Sequence, residues 1–344
     1  THMSYAGCTP STGTNTIQLQ AGTYVLTKEL QPTASMNILG ADPTDYANIN
    51  VLTNDYPAPT ALKTTITGQG QTRLFNTNIN NNPELALYNL VLDSGKATDR
   101  GGALYMGGAL TLNNVTIQNS PAATGGAIFL SNANSNFTMT QGIIQNNNAT
   151  DGSVLAMTCQ DNLVFTPRSI IINNISVLNN GNANSNSTFA FCGEPTASIS
   201  NATLTQNTTN TNSGSILQFS STSPQGAVNL STVASLTLLN NTIVQNTAWT
   251  GLLYNNVGRK ALGYNILAYN TSGKSCRYAD GDYAANTASN FTSFDWNALV
   301  LNSGTDQCEL ANSVLTSYKV PHPYPWHTAT KPFSFQDVLL FQIQ

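Results

Sequence analysis

The chain has 344 residues, of which 40% are hydrophobic and only 8% charged, with a formal net charge of -4. So much core-forming material with so little charge excludes a disordered chain, and a charge-poor, slightly acidic surface excludes nucleic acid as a partner. No apolar run reaches the roughly 18 to 20 residues that a membrane-spanning helix needs, so Asn, Thr and Ser carry the contact with water.

The opening Thr1-His2-Met3 reads as a cloning scar, and no charged-then-apolar secretory signal follows it. A β-type run, Asn15 to Tyr24, comes next, and then a long insertion holding Tyr46, Asp55 and Tyr56. Insertions of this kind are where binding evolves, which makes Tyr46 and Tyr56 candidates for ligand contact.

From residue 85 a phrase recurs in which apolar side chains alternate, an Asn interrupts, and alternation resumes. It appears as Leu85-Ala86-Leu87-Tyr88-Asn89-Leu90-Val91-Leu92, and again around Asn114, Gln141, Asn174, Asn201, Asn240 and Asn265. Period-two alternation with β-branched residues predicts strands. The successive intervals are 25, 27, 33, 27, 39 and 25 residues, the length of a coil of three short strands and three turns with occasional loops. A second phrase follows each strand unit at Gly101-Gly102-Ala103-Leu104 and Gly125-Gly126-Ala127-Ile128, with degenerate copies at Gly152, Gly214 and Gly251. These glycines fit tight bends. Strands and bends at this period predict an all-β, right-handed, single-stranded parallel β-helix, a solenoid with loop insertions. The recurring Asn is predicted to stack as a hydrogen-bonded ladder inside it, repeated about every 4.8 Å. Asn136, Asn201 and Asn270 also sit in glycosylation sequons, a motif common by chance in so Asn- and Thr-rich a chain.

Acidic residues are scarce. The best group is Asp93, Asp99 and Arg100, in the insertion before the first glycine pair, facing Asp151, Asp161 and Arg168 about two coils on. A β-helix lyase needs acidic calcium ligands and a basic side chain, and a hydrolase needs two or three close carboxylates. These six are therefore the catalytic candidates, with Ca2+ the one cofactor they leave open; Asp is equally at home in turns for its own hydrogen bonds. No Cys spacing forms a zinc motif, and no other metal site is predicted. The pairs Cys159/Cys192 and Cys276/Cys308 are about one or two coils apart, so disulfides between neighbouring coils are predicted, with buried free thiols as the alternative and Cys8 left over. Disulfides point to an oxidising compartment.

After residue 310 the character changes. Val320-Pro321-His322-Pro323-Tyr324-Pro325-Trp326-His327 cannot be a central strand, so 311–344 is predicted to be an irregular C-terminal cap or arm, with 4–310 the β-helix and its N-terminal capping region. Tyr324 and Trp326 fit either an end cap or a surface that stacks on sugar rings.

The glycine-glycine-alanine repeats, with Phe75-Asn76-Thr77-Asn78, resemble the passenger repeats of chlamydial polymorphic outer-membrane proteins. Asn15 to Tyr24 and Thr64 to Gly70 are similar to bacterial proteins with a CSLREA domain, whose cysteine-containing lead-in Cys8 matches in part; the signature itself is absent. Gly263 to Ile266, flanked by Cys276 and Cys308, is similar to the closing region of such arrays, so the resemblance spans about residues 8 to 310. It implies a secreted or bacterial cell-surface protein, adhesin-like, whose partner is a surface glycan or a host extracellular protein. A polysaccharide lyase or glycoside hydrolase of the β-helix class is the alternative, and a structural stalk the third reading.

Overall fold

A computed structural model describes residues 15–43, 61–79, 81–132, 134–159, 168–192, 195–220, 236–255, 260–268, 270, 274–278, 291–295, 297–299 and 318–319. Among them every regular element is a strand, and every strand pairing is parallel. The larger sheet contains β1 (Asn15–Gln18), β2 (Gly22–Val25), β3 (Met36–Leu39), β4 (Thr64–Thr67), β6 (Leu85–Asp93), β8 (Leu110–Gln118), β10 (Phe137–Gln145) and β12 (Ser169–Leu178). It continues with β14 (Thr196–Ser200), β15 (Thr203–Thr205), β17 (Leu236–Leu239), β18 (Thr242–Val244), β20 (Lys260–Gly263), β21 (Ile266–Ala268), β23 (Phe291–Asp295), β24 (Ala298–Leu299) and β25 (Tyr318–Lys319). The smaller sheet runs in unbroken order through β5 (Phe75–Asn76), β7 (Leu104–Met106), β9 (Ile128–Leu130), β11 (Leu155–Met157), β13 (Ser187–Cys192), β16 (Ser215–Ser220), β19 (Thr250–Asn255) and β22 (Lys274–Tyr278).

Strands β6, β8, β10 and β12 are single and long, in the register Leu87, Leu112, Met139, Ile172. Towards both ends two short strands fill the same place, as β3 and β4 do before β6 and β14 and β15 do after β12. Between β3 and β4 the chain makes the insertion that holds Tyr46 and Tyr56, which lie outside the described residues.

The Asn of the recurring phrase explains how a long strand keeps one face inward. Asn89, Asn114, Gln141 and Asn174 have φ of 55, 53, 56 and 56°, the left-handed region that Asn tolerates better than most residues. One such residue inserts two consecutive outward positions, so Leu85, Leu87, Leu90 and Leu92 are all buried while Ala86, Tyr88, Asn89 and Val91 are not. Each buried leucine contributes about 1.5–3 kcal/mol. The inward rows of both sheets merge into one core.

This corrects the predicted ladder. Asn89, Asn114, Gln141, Asn174, Asn201 and Asn240 lie on the outside, and of the residues named for the ladder only Asn265 is inside; the other internal amides sit elsewhere. A second left-handed residue follows β6, β8, β10, β12, β15 and β18, at Ser94, Asn119, Asn146, Asn179, Gln206 and Gln245, and from Asn119 on the next residue turns an amide or hydroxyl side chain inward. Those residues form a buried column of Asn147, Asn180, Asn207, Asn246 and Asn270, headed by Ser120. Within it Asn180 Oδ1 accepts from both the backbone N and Nδ2 of Asn147, at 3.0 Å each, and Asn180 Nδ2 donates to Ile144 O and Asn207 Oδ1. Both ends of each amide are thus satisfied without water. A second column joins Asn241, Asn265 and Asn297. Asn265 therefore does not match Asn240; Tyr264 does, since Leu239 pairs with Gly263.

Gly101, Gly125 and Gly152 are left-handed, φ 61–64°, and a Cβ on any of them would press on the carbonyl three residues ahead. Gly251 is not their counterpart, because Leu252 pairs with Leu217 and so aligns Gly251 with Ile216.

The disulfide Cys159–Cys192 is formed, with a Cα–Cα distance of 4.7 Å. Cys276 is also disulfide-bonded, and Cys8 and Cys308 lie outside the described residues. Apart from 318–319, so does the expected cap at 311–344, with Tyr324 and Trp326.

Candidate functional site

The described catalytic candidates fall in three places: Asp93 on the larger sheet, Asp99, Arg100 and Asp151 along one column of turns, and Arg168 before β12. Asp93 is the last residue of β6, on the outer strand face and not in a turn. Its Oδ1 accepts from Gln118 Nε2 (3.0 Å) and Asn119 Nδ2 (2.8 Å), and its Oδ2 from Ser94 Oγ (2.8 Å) and Thr67 Oγ1 (3.3 Å). Partial burial pushes this carboxyl up, but the bonds from Asn119, Gln118, Ser94 and Thr67 together outweigh it and hold the group below its ordinary value. Gln145 extends the row by donating to Gln118.

Asp99 belongs to a second cluster, on the turns that lead into the smaller sheet. Arg73 pairs with Glu29 and with Asp99, 2.6 Å each, and donates through Nε to Arg100 O and Gly101 O. Partial burial pushes Glu29 up, while hydrogen bonds from Gln31, Asn76 and Arg73 and the Arg73 charge bring it below its ordinary value. The Arg73 guanidinium also lies 5.1 Å from the Tyr105 ring centroid, and that of Arg100 5.0 Å from the Phe129 ring. Arg73 thereby ties three successive repeats together.

Arg100, Thr124 and Asp151 follow one another through parallel bridges, which sets Asp151 two repeats from Arg100, or about 10 Å at the usual strand spacing. Asp151 accepts from Asn186 Nδ2. Arg168 is buried before β12 and donates to the carbonyls of Leu130, Asn132 and Thr158; burial pulls its guanidinium down to about 10. Asp161 lies outside the described residues. Among the described residues no three His, Cys, Asp or Glu side chains come together as metal ligands.

What the repeat does build is a surface. Outward positions of the larger sheet from β3 to β18 carry Thr, Ser, Asn, Gln, aliphatic side chains and Tyr88, and Asp93 is the one charged group among the described positions. Neighbouring side chains are tied across repeats, Asn113 to Thr140 at 2.9 Å and Ser200 to Asn173 at 3.3 Å. Along the middle runs the left-handed row, with Asn114 donating to Asn89 (2.8 Å) and Asn240 to Asn201 (2.7 Å). Ile143, Ile171 and Leu239 are exposed beside it, and Tyr264 continues it. Such a face offers fixed hydroxyls and amides for hydrogen bonding and apolar patches for stacking, without charge. Tyr264 escaped the sequence reading through the one-residue misalignment with Asn240; aligning Asn240-Asn241-Thr242-Ile243 with Tyr264-Asn265-Ile266-Leu267 would have found it.

Compared with known protein families, curated proteins and solved structures, the chain gives no match.

Proposed function

We propose that the two sheets are sides of a right-handed, single-stranded parallel β-helix, and that the chain is a secreted or cell-surface recognition module of the adhesin kind. Right-handedness follows from the general handedness of crossovers between parallel strands. The module contacts a surface glycan or a host extracellular protein through the outer face of the larger sheet. One observation carries this reading: Asp93, Asp99 and Arg168 are each engaged in holding repeats together, while the described outer face exposes Ile143, Ile171 and Leu239 and is nearly free of charge. The Cys159–Cys192 disulfide supports an oxidising compartment, and among the described residues no helix is long and apolar enough to cross a membrane.

The test is binding to arrays of glycans and extracellular-matrix proteins, alongside incubation with acidic and neutral polysaccharides. Retention on one class without new chain ends is expected. New unsaturated or reducing ends would replace this reading with a lyase or a hydrolase, and no binding at all would leave a stalk.

A further inference from the structure

The left-handed row on the outer face is occupied by Asn or Gln at Asn89, Asn114, Gln141, Asn174, Asn201 and Asn240, and then by Tyr264. Tyr264 has φ 57° and is 58% exposed. An aromatic side chain is a poor choice for this backbone region, where Asn is the ordinary one. Exposure also denies it the core burial that would favour an aromatic there. Backbone strain at a side chain that stays mostly exposed points to a residue kept for contact with something else.

We infer that Tyr264 is an aromatic platform seating one ring of an uncharged, extended polysaccharide that lies along the amide row. The inference rests on the recognition-module reading and names its ligand class. Three features select that class. Successive side chains of the row are about 4.8 Å apart, close to the length of one pyranose residue in an extended chain, so each repeat addresses one sugar. Amides fixed by their neighbours, as Asn114 is by Asn89 and Asn240 by Asn201, bond to hydroxyls with little further ordering. The described outward positions from β3 to β18 hold no Lys or Arg, so an acidic polymer would lose its hydration without gaining a counter-charge.

The experiment measures affinity of the whole chain for soluble neutral glucan, mannan, xylan and chito-oligosaccharides, and in parallel for polygalacturonate, hyaluronan and matrix proteins. Wild type is compared with Tyr264→Phe and Tyr264→Asn. Wild type is expected to bind a neutral polymer, Tyr264→Phe within about threefold of it and Tyr264→Asn about tenfold or more weaker. Tyr264→Asn restores the residue of the other repeats, so its melting temperature is expected to equal or exceed that of wild type. Undiminished binding by Tyr264→Asn overturns the inference, and so does lost binding with a lowered melting temperature, which would make Tyr264 structural. Binding confined to acidic polymers or proteins overturns it and leaves the recognition module standing. No binding on any arm sinks both.

Discussion

The early repeats and the late ones use the same backbone but pack it in different ways. After the left-handed residue of the larger sheet, β6, β8 and β12 turn Leu90, Val115 and Ile175 inward; at the aligned position the late repeats turn in Asn241, Asn265 and Asn297. In the smaller sheet, Met106, Leu130 and Met157 line up with Phe191, Phe219 and Tyr254, whose rings follow one another at 5.5 and 5.2 Å between centroids. Aliphatic rows stabilise through area, and each member contributes nearly alone. Amide and aromatic columns stabilise through neighbours, so each member depends on the next. A one-residue slip in an aliphatic row costs packing, whereas in an amide column it strands every donor and acceptor at once. The early repeats thus supply bulk stability beside the one amide column that begins at Asn147, and the late ones, with a second amide column and the aromatic one, fix the register more tightly.

Exchanging the two solutions tests this most severely. Leu90→Asn removes a fully buried side chain and buries an amide beside Val115, where no other amide waits; a loss of about 4 kcal/mol is expected from apolar transfer and unmet hydrogen bonds together. Asn241→Leu adds apolar surface yet deprives Ala202 N of its acceptor and Ile199 O of its donor, for an expected loss of about 2 kcal/mol. Urea midpoints measure both. If Asn241→Leu matched or exceeded wild-type stability, the late columns would be ornaments of an ordinary apolar core.

The boundary between the two regions carries the disulfide. Cys159 follows β11, whose Met157 ends the aliphatic row Met106, Leu130 and Met157, and Cys192 ends β13, whose Phe191 opens the aromatic column, 33 residues further on. Closing a loop of this length stabilises by about 3.7 kcal/mol. The Cys159→Ala/Cys192→Ala variant is therefore expected to unfold at lower urea, with the near-ultraviolet signal of the aromatic column lost before the far-ultraviolet signal of the whole stack. Coincident transitions would show that the two regions do not part at this seam.

The strands were legible because alternation has one physical meaning, and so were the glycine bends at Gly101 and Gly125. Which Asn does what was not. Asn is both the best non-glycine residue for a left-handed bend and the best for an amide column. Pairs such as Asn146-Asn147, Asn179-Asn180 and Asn240-Asn241 place the two roles side by side. The recurring Asn is therefore expected in the interior, where Asn265 does sit, although from Asn89 to Asn240 it makes the outer bend. Asp93 reads as a turn residue because Asp favours turns; at the end of β6 it accepts from donors on the two flanking repeats, which sequence spacing alone does not bring together.

The smallest expected effect is one of pH, and it separates the regions by chemistry. The early repeats contain Asp93 and Glu29, both held below their ordinary values, whereas the late amide columns titrate nothing. A carboxylate whose folded pKa lies below the unfolded one, about 3.9 for aspartate, contributes fully above that value. Its contribution is lost as pH falls through the folded pKa. Stability measured from pH 6 down to pH 3 is thus expected to decline in the acid limb. Asp93→Asn is expected to be slightly less stable than wild type at pH 6 and to show a shallower decline below about pH 4, with the Glu29 share intact. The effect is modest because Asp93 is only partly buried and water screens it. Should Asp93→Asn leave the acid limb unchanged, the four donors would be bonding an aspartate that folding does not favour ionised, and the early repeats would hold together as uncharged stacks like the late ones.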